Sequence, residues 1–148
     1  MKVESTSTLL HDLERVNMTP ESFARYERKH PIAHEFESLA EYLTSFMARD
    51  LELTLTQIYV KSNISRSYGD QILSGRREHP GKYKLIPLCL AMGMNRKEIN
   101  RALRLAGRAE LDPRNRRDCV LIICANEGID SIIDINELLM SYDLNPIL

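Results

Sequence analysis

The chain has 148 residues, of which 43% are hydrophobic and 28% are charged, and its formal net charge is −1. These values are typical of a globular protein with its own core and exclude a mostly disordered chain. The longest strictly apolar run, residues 119–125, is seven residues long, whereas roughly 20 are needed to cross a bilayer. Polar and acidic residues precede any apolar stretch, which argues against a secretory signal. We therefore expect a cytoplasmic protein.

The small net charge hides three regions of different sign. Residues 1–53 hold six basic and ten acidic residues, residues 54–117 hold fourteen and five, and residues 118–148 hold none and six. The balances are −4, +9 and −6. A basic centre between acidic ends favours a polyanionic partner for the centre. The alternative is that the acidic ends neutralise the centre within the folded chain.

Helix signals follow one another along the whole chain, and strand signals are nearly absent. We predict helices at residues 7–16, 19–27 and 34–49, then at 54–63 and 65–73. Another follows Pro80-Gly81, and Asn95 with Glu98 caps the next one. The last two are predicted to run from residue 112 to residue 128 and, capped by Asp130, to about residue 142. The fold class is therefore all-α.

The last four of these helices show a weak internal repeat. The segment from Cys89 through Gly93 to Asn95 is echoed by the segment from Cys124 through Gly128 to Asp130. Each copy has the pattern of a helix, a glycine stop, a cap and a second helix. We expect two similar helical hairpins stacked on each other.

The segment that carries functional information begins at Thr54. Thr54 and Gln57 have the spacing of a capping box, Ser65 can cap a second short helix, and Ile64 is the apolar residue of the turn between them. Two short helices joined by about three residues are typical of a helix-turn-helix, whose second helix enters a DNA major groove.

Two groups of side chains around this unit suit DNA. The second helix offers small or polar side chains to base edges: Arg66, Ser67, Asp70 and Gln71. Hydroxyl and cationic groups near it suit phosphates: Thr56, Arg76, Arg77, Lys82 and Lys84.

At these residues the chain resembles the Cro/C1-type Xre family of helix-turn-helix proteins. The resemblance covers about residue 34 to the C-terminus. The matching runs within it are Leu53-Thr54, Ile64-Ser65-Arg66-Ser67, Tyr68-Gly69-Asp70-Gln71-Ile72, Gly75-Arg76-Arg77, Lys84-Leu85, Leu90-Ala91-Met92-Gly93, Leu105-Ala106-Gly107 and the helix start Pro113-Arg114-Asn115-Arg116-Arg117-Asp118. The chain departs from the family at Leu55, where the family often has a phosphate-binding glutamine, and at Asp70.

The resemblance implies a compact lambda-repressor-like domain at residues 34–108, with helical extensions at residues 1–33 and 109–148. It implies a bacterial transcriptional regulator that binds double-stranded DNA sequence-specifically as a homodimer. Apolar residues near the C-terminus, Leu144, Ile147 and Leu148, are expected to cap the fold or to serve the dimer.

Asp70 leaves a second reading open. Its carboxylate can accept a hydrogen bond from cytosine N4, or its charge can repel DNA and indicate a scaffold used for protein binding. In that case the chain would be a protein-interaction module: an antitoxin-like partner, an adaptor of a neighbouring protein such as a kinase, or a phage-type inhibitor. Its acidic N- or C-terminal segments would then contact the partner protein. The sequence has no catalytic set, no phosphate-binding glycine loop and no metal-ligand spacing of cysteine or histidine, so we expect no enzyme, cofactor or metal site.

Overall fold

The computed structural model describes residues 38–49 and 54–147, together with Leu10, Glu21, Ser22 and Arg25. Within the longer ranges there are seven helices and no strand: α1 (Leu39–Arg49), α2 (Leu55–Ser62), α3 (Arg66–Leu73), α4 (Lys82–Ala91), α5 (Arg96–Leu105), α6 (Arg116–Glu127) and α7 (Ile132–Ser141). The predicted all-α fold is confirmed for this part of the chain. The helices predicted at residues 7–16 and 19–27 lie outside the described residues, apart from the four single positions.

Contacts between residues divide the chain into two compact units, Met1–Glu35 and Phe36–Leu148. All seven helices belong to the second unit, so the candidate DNA-binding helices and the C-terminal hairpin share one folded body. None of these described helices combines the length and the apolar character needed to cross a membrane.

Most helices begin where the sequence places a cap. Thr54 and Gln57 form a capping box at α2, and Asn95 and Glu98 form another at α5. Each box satisfies two backbone N–H groups that a helix N-terminus leaves without partners, which stops the helix at that residue.

The starts of the last two helices were predicted wrongly. Helix α6 begins at Arg116 rather than at Asp112, because the Asn115 side chain caps it while the Asp112 carboxylate accepts the N–H of Arg114 in a preceding turn. Helix α7 begins at Ile132 after Ser131. Asp130 does not cap it; its carboxylate instead accepts a hydrogen bond from Lys61.

Helix α4 lies at the centre of the core. Every residue from Leu85 to Ala91 is buried, including Pro87 inside the helix, and α4 packs against α2, α5 and α6. A helix that is apolar all round must be covered on all sides, so the core forms around α4. Helix α2 packs against this core.

The internal repeat corresponds to two similar hairpins, α4–α5 and α6–α7. Gly93 and Gly128 have φ of 77° and 70°, a conformation that glycine adopts without strain. The residue after each glycine donates its N–H back to the carbonyl of Cys89 or Cys124. Because α6 packs on both α4 and α5, the two hairpins stack as predicted.

The segment after α7 folds back onto the domain. The side-chain amide of Asn136 exchanges two hydrogen bonds with the backbone of Ile147, at 3.0 and 2.8 Å. Ile147 is buried and Leu144 packs against the core. Leu144 and Ile147 therefore cap the fold, one of the two roles expected for them, and Leu148 lies outside the described residues.

Candidate nucleic-acid interface

Helices α2 and α3 have eight residues each and are joined by a three-residue turn. Asn63 has a left-handed conformation with φ of 54°, which asparagine tolerates better than most residues. Ile64 is buried beneath the turn and donates its N–H to the Tyr59 carbonyl at 3.0 Å. Ser65 caps α3 by accepting the N–H of Tyr68. The turn is thus held by hydrogen bonds on both sides, which fixes the direction of α3 relative to α2.

The two helices touch at Gly69. A β-carbon placed there would lie 2.3 Å from Cε1 of Tyr59 and 2.4 Å from Cζ, well inside van der Waals contact. Tyr59 is only 4% exposed, so its ring has little room to move away. The glycine in α3, which costs about 1 kcal/mol relative to alanine in a helix interior, is explained by this close packing.

The four predicted base-reading residues share the outer part of α3. Arg66, Ser67 and Asp70 are exposed and Gln71 is half-buried, whereas Ile72 on the opposite face is fully buried. Helix α3 is therefore amphipathic, with its apolar side on the core and a polar side toward solvent.

The carboxylate of Asp70 is held by neighbours on both helices. The Tyr59 hydroxyl donates to Oδ1 at 3.0 Å, and Nε of Arg66 lies 3.8 Å from Oδ2 one turn earlier on α3. The pKa of Tyr59 is raised to about 12, first by burial and second by the hydrogen bond to Asp70. The negative charge on the α3 face is thus partly compensated, and the Asp70 side chain is 52% exposed, which leaves Oδ2 with acceptor capacity.

Gln71 and Arg77 form a second polar unit at the other end of α3. Oε1 of Gln71 accepts from Nε and Nη2 of Arg77, at 3.2 and 2.9 Å. The Arg77 guanidinium also stacks on Tyr68, 4.5 Å from the ring centroid. Nε2 of Gln71 lies 3.4 Å from the Ser67 hydroxyl. A predicted base-reading residue and a predicted phosphate-binding residue therefore bond to each other.

The other predicted phosphate-binding residues divide into two groups. Thr56, Arg76 and Lys84 are exposed, and Arg76 makes no hydrogen bond or ion pair with any residue in the described ranges. Lys82 is different, because its side chain is 18% exposed and donates to Asp118 at 2.8 Å and to the Glu110 carbonyl at 3.1 Å. These contacts hold the Lys82 ammonium within the fold. Lys82 is therefore not one of the exposed candidates for phosphate binding.

The acidic C-terminal region neutralises part of the basic centre. Asp118 pairs with Lys82, and Asp130 pairs with Lys61 on α2 at 2.7 Å. Neither Arg76 nor Arg77 lies within ion-pair distance of a carboxylate in the part of the chain that the structure describes. Between the described parts of the basic centre and of the acidic C-terminal region, the internal neutralisation considered from the sequence therefore involves Lys61 and Lys82. It leaves the arginines that follow α3 available to a polyanion.

Among the described residues, no group of three or more histidine, cysteine or acidic side chains is placed to hold a metal ion. Burial raises the pKa of the Cys89 and Cys124 thiols, that of Cys124 to about 11. Both thiols therefore stay protonated at neutral pH, and they pack in the core as small apolar groups.

Two contacts of this surface were missed from the sequence. Tyr59 lies eleven residues before Asp70, and Arg77 lies six residues after Gln71. Neither spacing is a helical neighbour spacing, since side chains on one helix face are three or four residues apart. Only the turn between the helices and the return of the chain after α3 bring these pairs together.

Comparison of the chain with models of protein families, with curated proteins and with solved structures gives no match. The resemblance to the Cro/C1-type family therefore rests on the motifs alone, and the function has to be argued from the geometry of α2 and α3.

Proposed function

We propose that this chain is a sequence-specific double-stranded DNA-binding protein, and a cytoplasmic regulator of transcription of the lambda-repressor-like helix-turn-helix type. One observation carries the proposal: the outer face of α3 is polar and exposed, while its inner face is locked onto α2 through Gly69 and Tyr59. A rigid helix with a polar face is what entry into a groove requires.

The dimensions suit a major groove. An α-helix with its side chains is roughly 10 to 12 Å in diameter, and the major groove of B-DNA is roughly 12 Å wide. In this pose Arg66, Ser67, Asp70 and Gln71 face base edges. Base recognition needs such side chains because phosphate contacts carry no sequence information.

Phosphate contacts come from the ends of the unit. Arg76 and Arg77 follow α3 directly, Thr56 lies in the first turn of α2, and Lys84 is exposed on α4. These groups supply the salt-dependent part of the affinity through release of counterions. A single unit buries little surface, so we propose binding as a homodimer on a two-fold symmetric site.

The experiment that tests this function is selection from a pool of random duplexes, run beside a measurement of particle size. The proposal predicts enrichment of one motif with two half-sites about one helical turn apart, bound by a dimer. Recovery of duplexes with no common motif would contradict sequence-specific binding.

A second candidate is a protein-interaction module on the same scaffold, and one observation favours it. Val60 on α2 is 72% exposed and lines a groove of about 620 Å³ with Tyr59, Ile64 and Arg66. An exposed apolar side chain beside the polar face of α3 suits a protein partner better than a phosphate backbone. Absence of any salt-dependent duplex binding, together with co-purification of one stoichiometric partner, would favour this candidate.

A further inference from the structure

The orientation of the Gln71 amide is set by its neighbour Arg77. Arginine has only donors, so the atom of Gln71 that faces both guanidinium N–H groups must be the oxygen, at 3.2 and 2.9 Å. The amide nitrogen consequently points the other way along α3, toward Ser67 at 3.4 Å.

This contact uses up the acceptor capacity of Gln71. A carboxamide oxygen has two lone pairs, and Arg77 directs two N–H groups at it. One N–H of the amide is directed at the Ser67 hydroxyl, so what Gln71 still offers to a base is its other N–H, a donor. The two-point recognition of adenine by glutamine needs the oxygen to accept from N6 while the nitrogen donates to N7, and the oxygen is occupied.

Arg77 is well placed to keep the amide in this state. Its guanidinium stacks on the Tyr68 ring at 4.5 Å, and its backbone N–H donates to the Gln71 carbonyl at 2.9 Å. Stacking and hydrogen bonding together fix a planar guanidinium more firmly than either alone. The whole group lies on the exposed side of α3, where a base edge would meet it.

We infer that Arg77 is a specificity-determining residue that makes Gln71 a donor-only reader, which selects guanine over adenine at one base pair of the site. Guanine presents two acceptors in the major groove, N7 and O6, whereas adenine presents N7 and a donor at N6. The inference rests on the proposed function, because it concerns how α3 reads DNA.

The test compares the wild type with Gln71→Ala, Arg77→Met and Arg76→Met. Duplex selection with the wild type and with Gln71→Ala identifies the base pair whose preference depends on Gln71. Affinities are then measured for duplexes that carry guanine or adenine at that position. Methionine keeps an apolar stem over Tyr68 but has no donor, and Arg76→Met removes the same charge from the neighbouring exposed residue as a matched control.

The wild type is expected to bind the guanine duplex about tenfold better than the adenine duplex. Arg77→Met should shift that ratio toward adenine by a similar factor, because the freed oxygen can accept from N6. Arg77→Lys should restore part of the guanine preference, since an ammonium also donates to Oε1. Arg76→Met should weaken both duplexes equally and leave the ratio unchanged.

Two results separate this inference from the proposed function. Sequence-specific binding in which Arg77→Met keeps the wild-type ratio, or in which the wild type prefers adenine at the Gln71-dependent position, overturns the role of Arg77 alone. Failure of the wild type to bind any duplex selectively overturns the proposed function, and this inference with it.

Discussion

The Tyr59 hydroxyl donates a 3.0 Å hydrogen bond to the carboxylate of Asp70, which joins the buried face of α2 to the exposed face of α3. The bond accounts for a negative charge on a helix that we propose faces DNA. It holds the carboxylate in one orientation, with Oδ1 occupied and Oδ2 available as an acceptor. Asp70 in this state is suited to a donor such as cytosine N4, and its charge alone does not argue for a protein partner.

The same bond predicts how stability depends on alkaline pH. The pKa of Tyr59 is raised from 10.0 to about 12, first by burial and then by Asp70. Between pH 10 and 12 the unfolded chain loses the tyrosine proton and the folded chain keeps it, so the free energy of unfolding falls as pH rises. Below pH 10 this contribution is fully present.

Denaturant titrations at several pH values check this prediction. Tyr59→Phe should flatten the fall between pH 10 and 12 relative to the wild type. Tyr142→Phe, at a tyrosine that is 45% exposed, serves as the control and should leave the slope as it is. Equal slopes for Tyr59→Phe and the wild type would contradict the assigned role of Tyr59.

Gly69→Ala should destabilise the protein, although alanine is the better helix former by about 1 kcal/mol. The added methyl group would meet the Tyr59 ring at 2.3 Å, and the ring is held by its buried position and by Asp70. Overpacking of this kind costs about 1 to 3 kcal/mol. The free energy of unfolding of the single variant measures the cost.

The control for this clash is the double variant Gly69→Ala with Tyr59→Ala. With the ring removed, alanine at position 69 should be neutral or stabilising relative to Tyr59→Ala alone. If Gly69→Ala costs the same in both backgrounds, contact with Tyr59 is not the reason for the glycine.

Local chemistry in the sequence predicted much of this fold. The capping residues Thr54, Ser65 and Asn95 fixed helix starts, because each satisfies N–H groups within three residues of itself. The start of α7 was predicted wrongly since Asp130 has a distant partner, Lys61. Competition between a local cap and a long-range ion pair cannot be decided from spacing alone.

The sequence predicted which residues belong to the candidate site, but not the contacts that these residues make. Exposed positions on α3 follow from helical periodicity, which is a local property. Two contacts depend on how separate segments pack against each other. Arg77 donates to the amide oxygen of Gln71, and Lys82 pairs with the buried Asp118. From the sequence, Arg76, Arg77 and Lys82 are three equivalent candidates for phosphate binding. Only the fold shows that Arg77 contacts Gln71 and that Lys82 pairs with Asp118.

Asp118 forms the most deeply buried ion pair among the described residues, and its removal should be costly. It is 1% exposed and accepts from Lys82 at 2.8 Å, from the Tyr83 hydroxyl at 2.9 Å and from the backbone of Asp112 at 2.9 Å. Asp118→Ala leaves a partly buried ammonium without its counter-charge, which typically costs about 3 to 5 kcal/mol. Chemical denaturation of the variant checks the prediction.

The matched control is the exposed pair formed by Arg104 and Glu110. Glu110→Ala should cost at most about 1 kcal/mol, because water screens both charges. Comparable losses in Asp118→Ala and Glu110→Ala would show that the Lys82–Asp118 pair is not the link that holds α6 to the start of α4.

The central claim is that α3 reads bases while the arginines after it bind phosphates. Salt-titrated fluorescence anisotropy on the selected duplex and on a scrambled duplex tests it most directly, with Gln71→Ala, Arg76→Ala and, as a control, Arg96→Ala on α5. Gln71→Ala should lower the discrimination between the two duplexes by about 1 to 3 kcal/mol. Arg76→Ala should weaken both alike and reduce the salt slope by about one, and Arg96→Ala should behave as the wild type. Identical behaviour of the Gln71 and Arg76 variants, or equal binding of both duplexes by the wild type, would contradict the account.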